Sequence, residues 1–116
     1  MKIKVSEATP VQLGWMVAKC EGREMYIQNR EVWFTDSSTH PDGAETAYDD
    51  WPLCGPIIER EGINTYQMQD GTWQANLDYG MTDELIYWGP TPLIAAMRCF
   101  VVSKLGDEVD VPEELT

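Results

Sequence analysis

Residues 91–106 read TPLIAAMRCFVVSKLG and are apolar at nearly every position between Pro92 and Gly106. Thr91 can cap the free amides at a helix start, and Pro92 suits the first helical position, where no N–H is needed. Gly106 favours the left-handed conformation that ends many helices. The stretch therefore predicts a helix over residues 92–105. A helix that is apolar on most sides is buried on most sides, so we expect this one to form the centre of the core.

Two other segments carry similar signals. Residues 9–21 begin with a Thr-Pro pair, end before Gly22, and predict an N-terminal helix. Its apolar positions follow the spacing of a single helical stripe: Leu13, Met16, Val17 and Cys20. A middle helix is predicted between the cap Asp50 and Gly62, with a kink or a restart at Pro56.

The clearest strand signal is a hairpin formed by residues 63–69 and 72–77. Asp70-Gly71 between two alternating segments is a strong hairpin cue, because both positions of a two-residue turn need positive φ. With that turn, residue 69 lies opposite residue 72. One face of the hairpin then carries the following side chains: Tyr66, Met68, Trp73, Ala75 and Leu77.

Shorter strands are predicted at residues 25–27 and 32–34, with an edge strand at 85–88 and a loop at 35–49. Together these elements predict an α+β fold, a single compact domain in which a short antiparallel sheet is covered by the N-terminal, middle and C-terminal helices. We expect this domain to span residues 1–106. Residues 107–116 carry five acids and no base, and they predict a loosely held acidic C-terminal tail.

The charge of the chain excludes ordinary nucleic-acid binding. The 116 residues carry a net charge of −12, and residues 35–116 alone carry −13. Binding to phosphates needs clustered Lys and Arg, which the sequence lacks, so we expect no direct nucleic-acid partner. An acidic surface suits a basic protein partner, including one whose DNA site it could occupy. The alternative is that the charge serves solubility alone.

The sequence predicts no catalytic, metal-binding or cofactor-binding residue. His40 is the only histidine and lies in a polar loop, away from any nucleophile motif. The three cysteines are widely spaced, which excludes a disulfide framework or zinc site and indicates a reducing, intracellular setting. No apolar run approaches the roughly 20 residues of a membrane helix, and the first residues lack a signal-peptide core. We therefore expect a non-enzymatic protein with no membrane partner.

Four residues are candidate contacts for a ligand or partner. Arg98 is the only charge within the apolar stretch of the C-terminal helix, so it either anchors an anion at a pocket or forms an internal ion pair with Glu59 or Glu61. Trp51 and Trp88 border Pro/Gly-rich segments, where they could anchor a protein partner or close the core. Thr91 belongs to the same loop as Trp88.

Three stretches carry a family resemblance: residues 5–13 (VSEATPVQL), 50–63 (DWPLCGPIIEREGI) and 88–98 (WGPTPLIAAMR). They resemble the NinX family of lambdoid bacteriophages and prophages, and the resemblance spans nearly the whole chain. The family is similar in layout to the small phage ABA-sandwich domains, which implies helices packed on a short sheet. It implies an accessory protein in the cytoplasm of an infected or lysogenic host, and it implies no catalytic residue.

Two hypotheses of function follow. The first is an accessory protein that binds a host or phage protein through Trp88 and Trp51, with the acids steering the encounter. One form of it is an acidic DNA mimic directed against a host defence factor. The second is a small-molecule or nucleotide binding module with a pocket near Arg98.

Overall fold

The computed structural model describes residues 1–34, 51–78 and 84–116, and within them it contains three α-helices, two short 3-10 helices and seven strands. The α-helices are α1 (Pro10–Cys20), α2 (Trp51–Glu61) and α3 (Pro92–Leu105). The strands are β1 (Lys2–Lys4), β2 (Met25–Gln28), β3 (Glu31–Phe34), β4 (Asn64–Gln67), β5 (Trp73–Asp78), β6 (Glu84–Gly89) and β7 (Glu108–Asp110). This composition of helices and antiparallel strands confirms the α+β class. The predicted loop at 35–49, with His40, and the predicted cap Asp50 lie outside the described residues.

Helix α3 is the centre of the fold, as predicted. It packs against all three strands of the sheet formed by β4, β5 and β6, and against both other helices. Seven of its side chains are buried: Leu93, Ala95, Ala96, Met97, Cys99, Phe100 and Val101. The hydroxyl of Thr91 accepts a hydrogen bond from the amide of Ile94 at 3.2 Å, and Gly106 ends the helix with φ of 89°.

The predicted N-terminal helix is confirmed with its cap. The Thr9 hydroxyl accepts from the amide of Gln12 at 3.2 Å, and the Gln12 side chain accepts from the amide of Thr9 at 3.0 Å. This reciprocal pair satisfies two of the orphan donors at the helix start. Helix α2 is continuous from Trp51 through Pro56 to Glu61, so of the two alternatives predicted at Pro56, a kink or a restart, the restart is wrong. Gly62, with φ of 71°, follows its end as predicted.

The hairpin between β4 and β5 has a register one residue away from the predicted one. Asn64 lies opposite Asn76, and Tyr66 lies opposite Gln74, whereas the two-residue turn would have placed Tyr66 opposite Ala75. The connection is a three-residue loop closed by a hydrogen bond from the amide of Met68 to the carbonyl of Thr72 at 2.8 Å.

The position of Gly71 explains this register. Gly71 has φ of 89° and is the third loop residue, which is the arrangement of a turn followed by a glycine bulge. The Asp70 carboxylate holds the loop by accepting from both the amide and the hydroxyl of Thr72, at 2.9 and 2.6 Å. A one-residue change moves side chains to the other face. Tyr66 and Met68 are therefore 51% and 38% exposed and do not share the buried face with Trp73.

The prediction of a loosely held tail at residues 107–116 is wrong. Strand β7 pairs antiparallel with β1, and three side chains of this segment are buried: Val109, Val111 and Leu115. The side chain of Gln12 on α1 donates a hydrogen bond to the carbonyl of Leu115 at 2.9 Å. The Asp110 carboxylate accepts a hydrogen bond from the N-terminal ammonium at 2.8 Å, and in the register of the strand pair Lys2 lies opposite Asp110 and Lys4 opposite Glu108.

The strands predicted at residues 25–27 and 32–34 are confirmed, and they pair with each other as β2 and β3. Tyr26 and Trp33 lie opposite one another, with their rings stacked at 6.4 Å between centroids. The edge strand predicted at residues 85–88 is confirmed as β6. Of the three helices described above, the longest has 14 residues, and none has the length and apolar character that a membrane crossing requires.

Candidate functional site

The three-stranded sheet has one face turned to the core and one turned away from it. Ala75 and Leu77 are buried on the core face, and their cross-strand partners Tyr87 and Leu85 pack against the core with them. Gly89 ends the same face of β6, directly beneath α3. We call the opposite side of the sheet the outer face. By the register it carries Asn64, Tyr66, Gln74, Asn76, Glu84, Ile86 and Trp88.

Two large aromatic side chains stand on the outer face in one row. Tyr66 and Trp88 lie on either side of Gln74, and each is 51% exposed. Ile86 lies in the next row, opposite Asn76, and is partly buried. Tryptophan and tyrosine are enriched among the residues that dominate the energy of protein interfaces. About half of each aromatic side chain is therefore open to contact with a partner.

The outer face also holds a buried amide. Asn76 is only 9% exposed, and its Nδ2 donates a hydrogen bond of 2.5 Å to the Glu84 carboxylate. Its Oδ1 is buried and has no hydrogen-bond partner in the described part of the chain. The cost of leaving a buried acceptor unpaired makes this atom unusual in a folded protein.

The segment of sequence that contains the three-stranded sheet carries acids and no base. Residues 62–97 include four acids, at positions 70, 78, 83 and 84, and no lysine, arginine or histidine. The first base to follow is Arg98, on α3. An approaching cationic group would therefore meet attraction, whereas an anion would be repelled.

The junction between β6 and α3 brings three predicted contact residues together. Nη1 of Arg98 donates a hydrogen bond to the carbonyl of Trp88 at 2.7 Å. Thr91, between them in the chain, uses its hydroxyl to cap α3. The chain makes this tight turn because Gly89 has no side chain: a Cβ there would lie 2.8 Å from the amide nitrogen of Ala95.

Arg98 does not form the predicted ion pair with Glu59 or Glu61 among the described residues. Glu61 is bound instead by Arg60 at 2.9 Å and by Lys104 at 3.1 Å, and these contacts lower the pKa of its carboxyl. Burial lowers the pKa of the Arg98 guanidinium, and its Nε is a buried donor without a hydrogen-bond partner among the described residues. The backbone carbonyl of Trp88 therefore takes the place of the expected carboxylate.

Trp51 lies apart from these residues. It stands in the first turn of α2, is 58% exposed, and extends over its own helix, with Cε3 at 4.0 Å from the position of a Cβ on Gly55. Because α2 packs against α3, Trp51 is not part of the outer face. The structure thus brings together Trp88, Thr91 and Arg98, and separates Trp51 from them.

Three described cavities of about 400 to 650 Å³ lie elsewhere, and Arg98 lines none of the three. Two of them share Trp15 of α1 and Pro112; one extends along residues 23–27, and the other is bounded by Met1 and residues 110–113. In residues 1–34, 51–78 and 84–116 no group of three or more His, Cys, Asp or Glu side chains could hold a metal ion. The three cysteines are free thiols, and burial raises the pKa of Cys20 and of Cys99 to about 11.

Sequence reasoning missed three residues of the outer face: Tyr66, Asn76 and Glu84. The two-residue turn predicted from Asp70-Gly71 places Tyr66 on the buried face. Nothing in the sequence pairs Asn76 with Glu84, since that contact depends on the register between β5 and β6. A three-residue turn ending at Gly71 would have revealed the position of Tyr66.

The chain was compared with models of known protein families and with curated protein sequences. The family model described as "Bacteriophage P22, NinX" matches residues 4–104, a range that includes α1, the three-stranded sheet and nearly all of α3. No curated protein sequence matches the chain.

Proposed function

The chain belongs to the bacteriophage P22 NinX family, whose members are phage accessory proteins, and on that premise we propose that it acts by binding a host or phage protein through its outer face. The observation that carries the proposal is the half-exposed pair Tyr66 and Trp88 on one side of the sheet. In this role the protein is not an enzyme. It acts in the cytoplasm of the infected or lysogenic host.

The negative charge of the sheet segment supports a basic protein as the partner. The sheet segment has four acids and no base, in a chain whose net charge is −12. Complementary charge raises association rates and discriminates against wrong partners, while buried aromatic residues supply most of the affinity. Trp88 would therefore anchor the complex and the surrounding acids would steer it.

The test compares variants of the tagged protein in extracts of phage-infected host cells. Trp88→Ala removes the anchor, and Trp51→Ala is the matched control, because both tryptophans are exposed to a similar degree. We expect a stoichiometric partner that wild type and Trp51→Ala retain and that Trp88→Ala and Tyr66→Ala lose. The partner is then purified and its affinity for each variant measured by calorimetry at low and high salt. Retention of the same proteins by all four forms would contradict the proposal.

The same purified partner tests the DNA-mimic form of this function. A mimic occupies the partner's DNA site, so duplex DNA should compete with it and high salt should abolish binding. If the partner binds duplex DNA and this protein at the same time, the mimic form is wrong while the binding function stands.

A second candidate function is a small-molecule or nucleotide binding module at Arg98, and it is favoured by the buried Nε, which has no hydrogen-bond partner in the part of the chain that the structure describes. An anionic ligand that reaches this atom would stabilise the folded protein by a free energy that rises with the logarithm of the ratio of ligand concentration to dissociation constant. We expect a rise in melting temperature with a panel of nucleotides and anionic metabolites, and loss of that rise in Arg98→Met. A panel without effect on wild type, or an equal effect on a folded Arg98→Met variant, would rule this function out.

A further inference from the structure

The buried amide of Asn76 differs from the other buried polar side chain described in the structure. Gln12 uses both ends of its amide, accepting from Thr9 and donating to Leu115. Within residues 1–34, 51–78 and 84–116, Asn76 uses only its donor, towards Glu84, and its buried Oδ1 has no hydrogen-bond partner. A fold tolerates such an atom at a cost, and a bound partner that supplies a donor removes the cost.

The surroundings of Asn76 specify the chemistry of that donor. The hydrogen bond to Glu84 fixes the amide so that its oxygen is the end left over, and the carboxylate beside it is also an acceptor. Glu84 is exposed, so its side chain can shift and present its carboxylate together with Oδ1 to an incoming group. A cation with more than one N–H satisfies both acceptors. The rings of Tyr66 and Trp88 stand on the same face.

We propose that the outer face receives an arginine side chain of the partner protein, with its guanidinium bound by Asn76 and Glu84 and its plane against Trp88 or Tyr66. Arginine presents several N–H donors in a rigid plane and stacks on aromatic rings, which a lysine ammonium does less well. Charge complementarity supports this occupant, since residues 62–97 hold four acids and no base. The inference rests on the proposed protein-binding function and adds the chemical class of the group that is bound.

The test uses a blocked tetra-arginine peptide as the probe, with a tetra-citrulline peptide of the same shape and no charge as its control. Binding is followed by NMR through the side-chain amide signals of Asn76 and the indole signal of Trp88. We expect both signals to shift with the arginine peptide and to stay unchanged with the citrulline peptide. Unchanged signals with both peptides, or equal shifts with both, would overturn the inference.

Two variants separate a specific contact from the general charge. Glu84→Gln and Glu7→Gln change the net charge equally, and both side chains are exposed, but Glu7 lies in the turn after β1, outside the outer face. We expect Glu84→Gln to weaken peptide binding by about tenfold, the order of one charged hydrogen bond, and Glu7→Gln to change it less than about twofold. Asn76→Leu, whose folding is checked by its NMR spectrum, should weaken binding without any change of charge. Equal effects of Glu84→Gln and Glu7→Gln would show that net charge alone attracts the peptide and would overturn the inference.

These outcomes are distinct from those that test the proposed function. If Trp88→Ala loses the protein partner while the arginine peptide leaves Asn76 and Trp88 unaffected, the protein-binding function stands and the arginine site is wrong. If the peptide binds as expected but every variant retains the same proteins from the extract, the arginine site stands and its assignment to partner recognition is wrong.

Discussion

The close approach of β6 to α3 makes Gly89→Ala a sharp test of the fold. A Cβ at this position would lie 2.8 Å from the nitrogen of Ala95, 3.0 Å from Cγ2 of Ile94 and 3.2 Å from Cα of Ala95. Two of these three atoms belong to backbone, so the first turn of α3 must move to relieve the contact. Overpacking of this kind costs about 1–3 kcal/mol, and the reduced freedom of the unfolded chain offsets roughly 0.4–1 kcal/mol of it. We expect a net loss of about 1–2 kcal/mol in the free energy of unfolding.

Gly55→Ala is the matched control. Gly55 lies inside α2, where the nearest atom to a Cβ is Cε3 of Trp51 at 4.0 Å, an ordinary contact distance. Alanine there should stabilise the protein by up to about 1 kcal/mol through its higher helix propensity. Urea unfolding followed by far-ultraviolet circular dichroism measures the free energy of unfolding of both variants. In a thermal melt, the melting temperature of Gly89→Ala should be lower than that of wild type by roughly 4–10 °C. If Gly89→Ala were as stable as wild type, α3 would not lie against β6 as described.

Other predictions concern the C-terminal segment, pH and the thiols. Deleting residues 107–116 should lower the free energy of unfolding by at least roughly 4 kcal/mol, because three buried apolar side chains are lost. Urea unfolding measures this loss, with a substitution of an exposed residue, Glu113→Gln, as the control. An unchanged midpoint of urea unfolding after the deletion would contradict the prediction. The pKa of Glu61 is lowered by its hydrogen bond with Arg60, so its ion pairs stabilise the fold above the unfolded value of 4.5, and that contribution is lost as pH falls through the lower folded value. The stability difference between wild type and Glu61→Gln should therefore shrink as the pH falls below the unfolded value of 4.5, and a constant difference would refute the assignment. Burial raises the pKa of Cys99 to about 11, so at pH 8 a thiol reagent should modify Cys99 slowly in the folded protein and quickly in urea. Mass spectrometry measures the rate of modification under both conditions. Equal rates would place Cys99 at the surface.

The helices could be predicted from the sequence because their signals are local. The Thr-Pro start and the glycine after the end gave α1 and α3 almost to the residue, and the apolar sequence of α3 indicated its central position. The hairpin was only partly predictable. Asp70-Gly71 correctly located the turn, but the register depends on whether glycine is its second or third residue, and the two choices place Tyr66 on opposite faces.

Contacts between distant segments could not be predicted from composition. Five acids in residues 107–116 suggested solvent exposure, although Val109 and Val111 alternate with them as a half-buried strand requires. The partner of that strand lies at the other end of the sequence, where Lys2 and Lys4 face its acids. The candidate site also depends on contacts that the sequence does not show, since Asn76 meets Glu84 only after β5 and β6 have paired.

The pairing of β1 with β7 has a consequence for the order of folding. Ile3 lies opposite Val109, so this strand pair closes a loop of more than one hundred residues. Closing so long a loop costs more chain entropy than any hairpin in the protein, and contacts of this sequence separation form late. On the ribosome, β1 must wait without its partner until the last strand has been synthesised, while α1 and the β2–β3 hairpin can already form. A pulse-labelling hydrogen-exchange experiment should find the amides of β1 and β7 among the last to be protected.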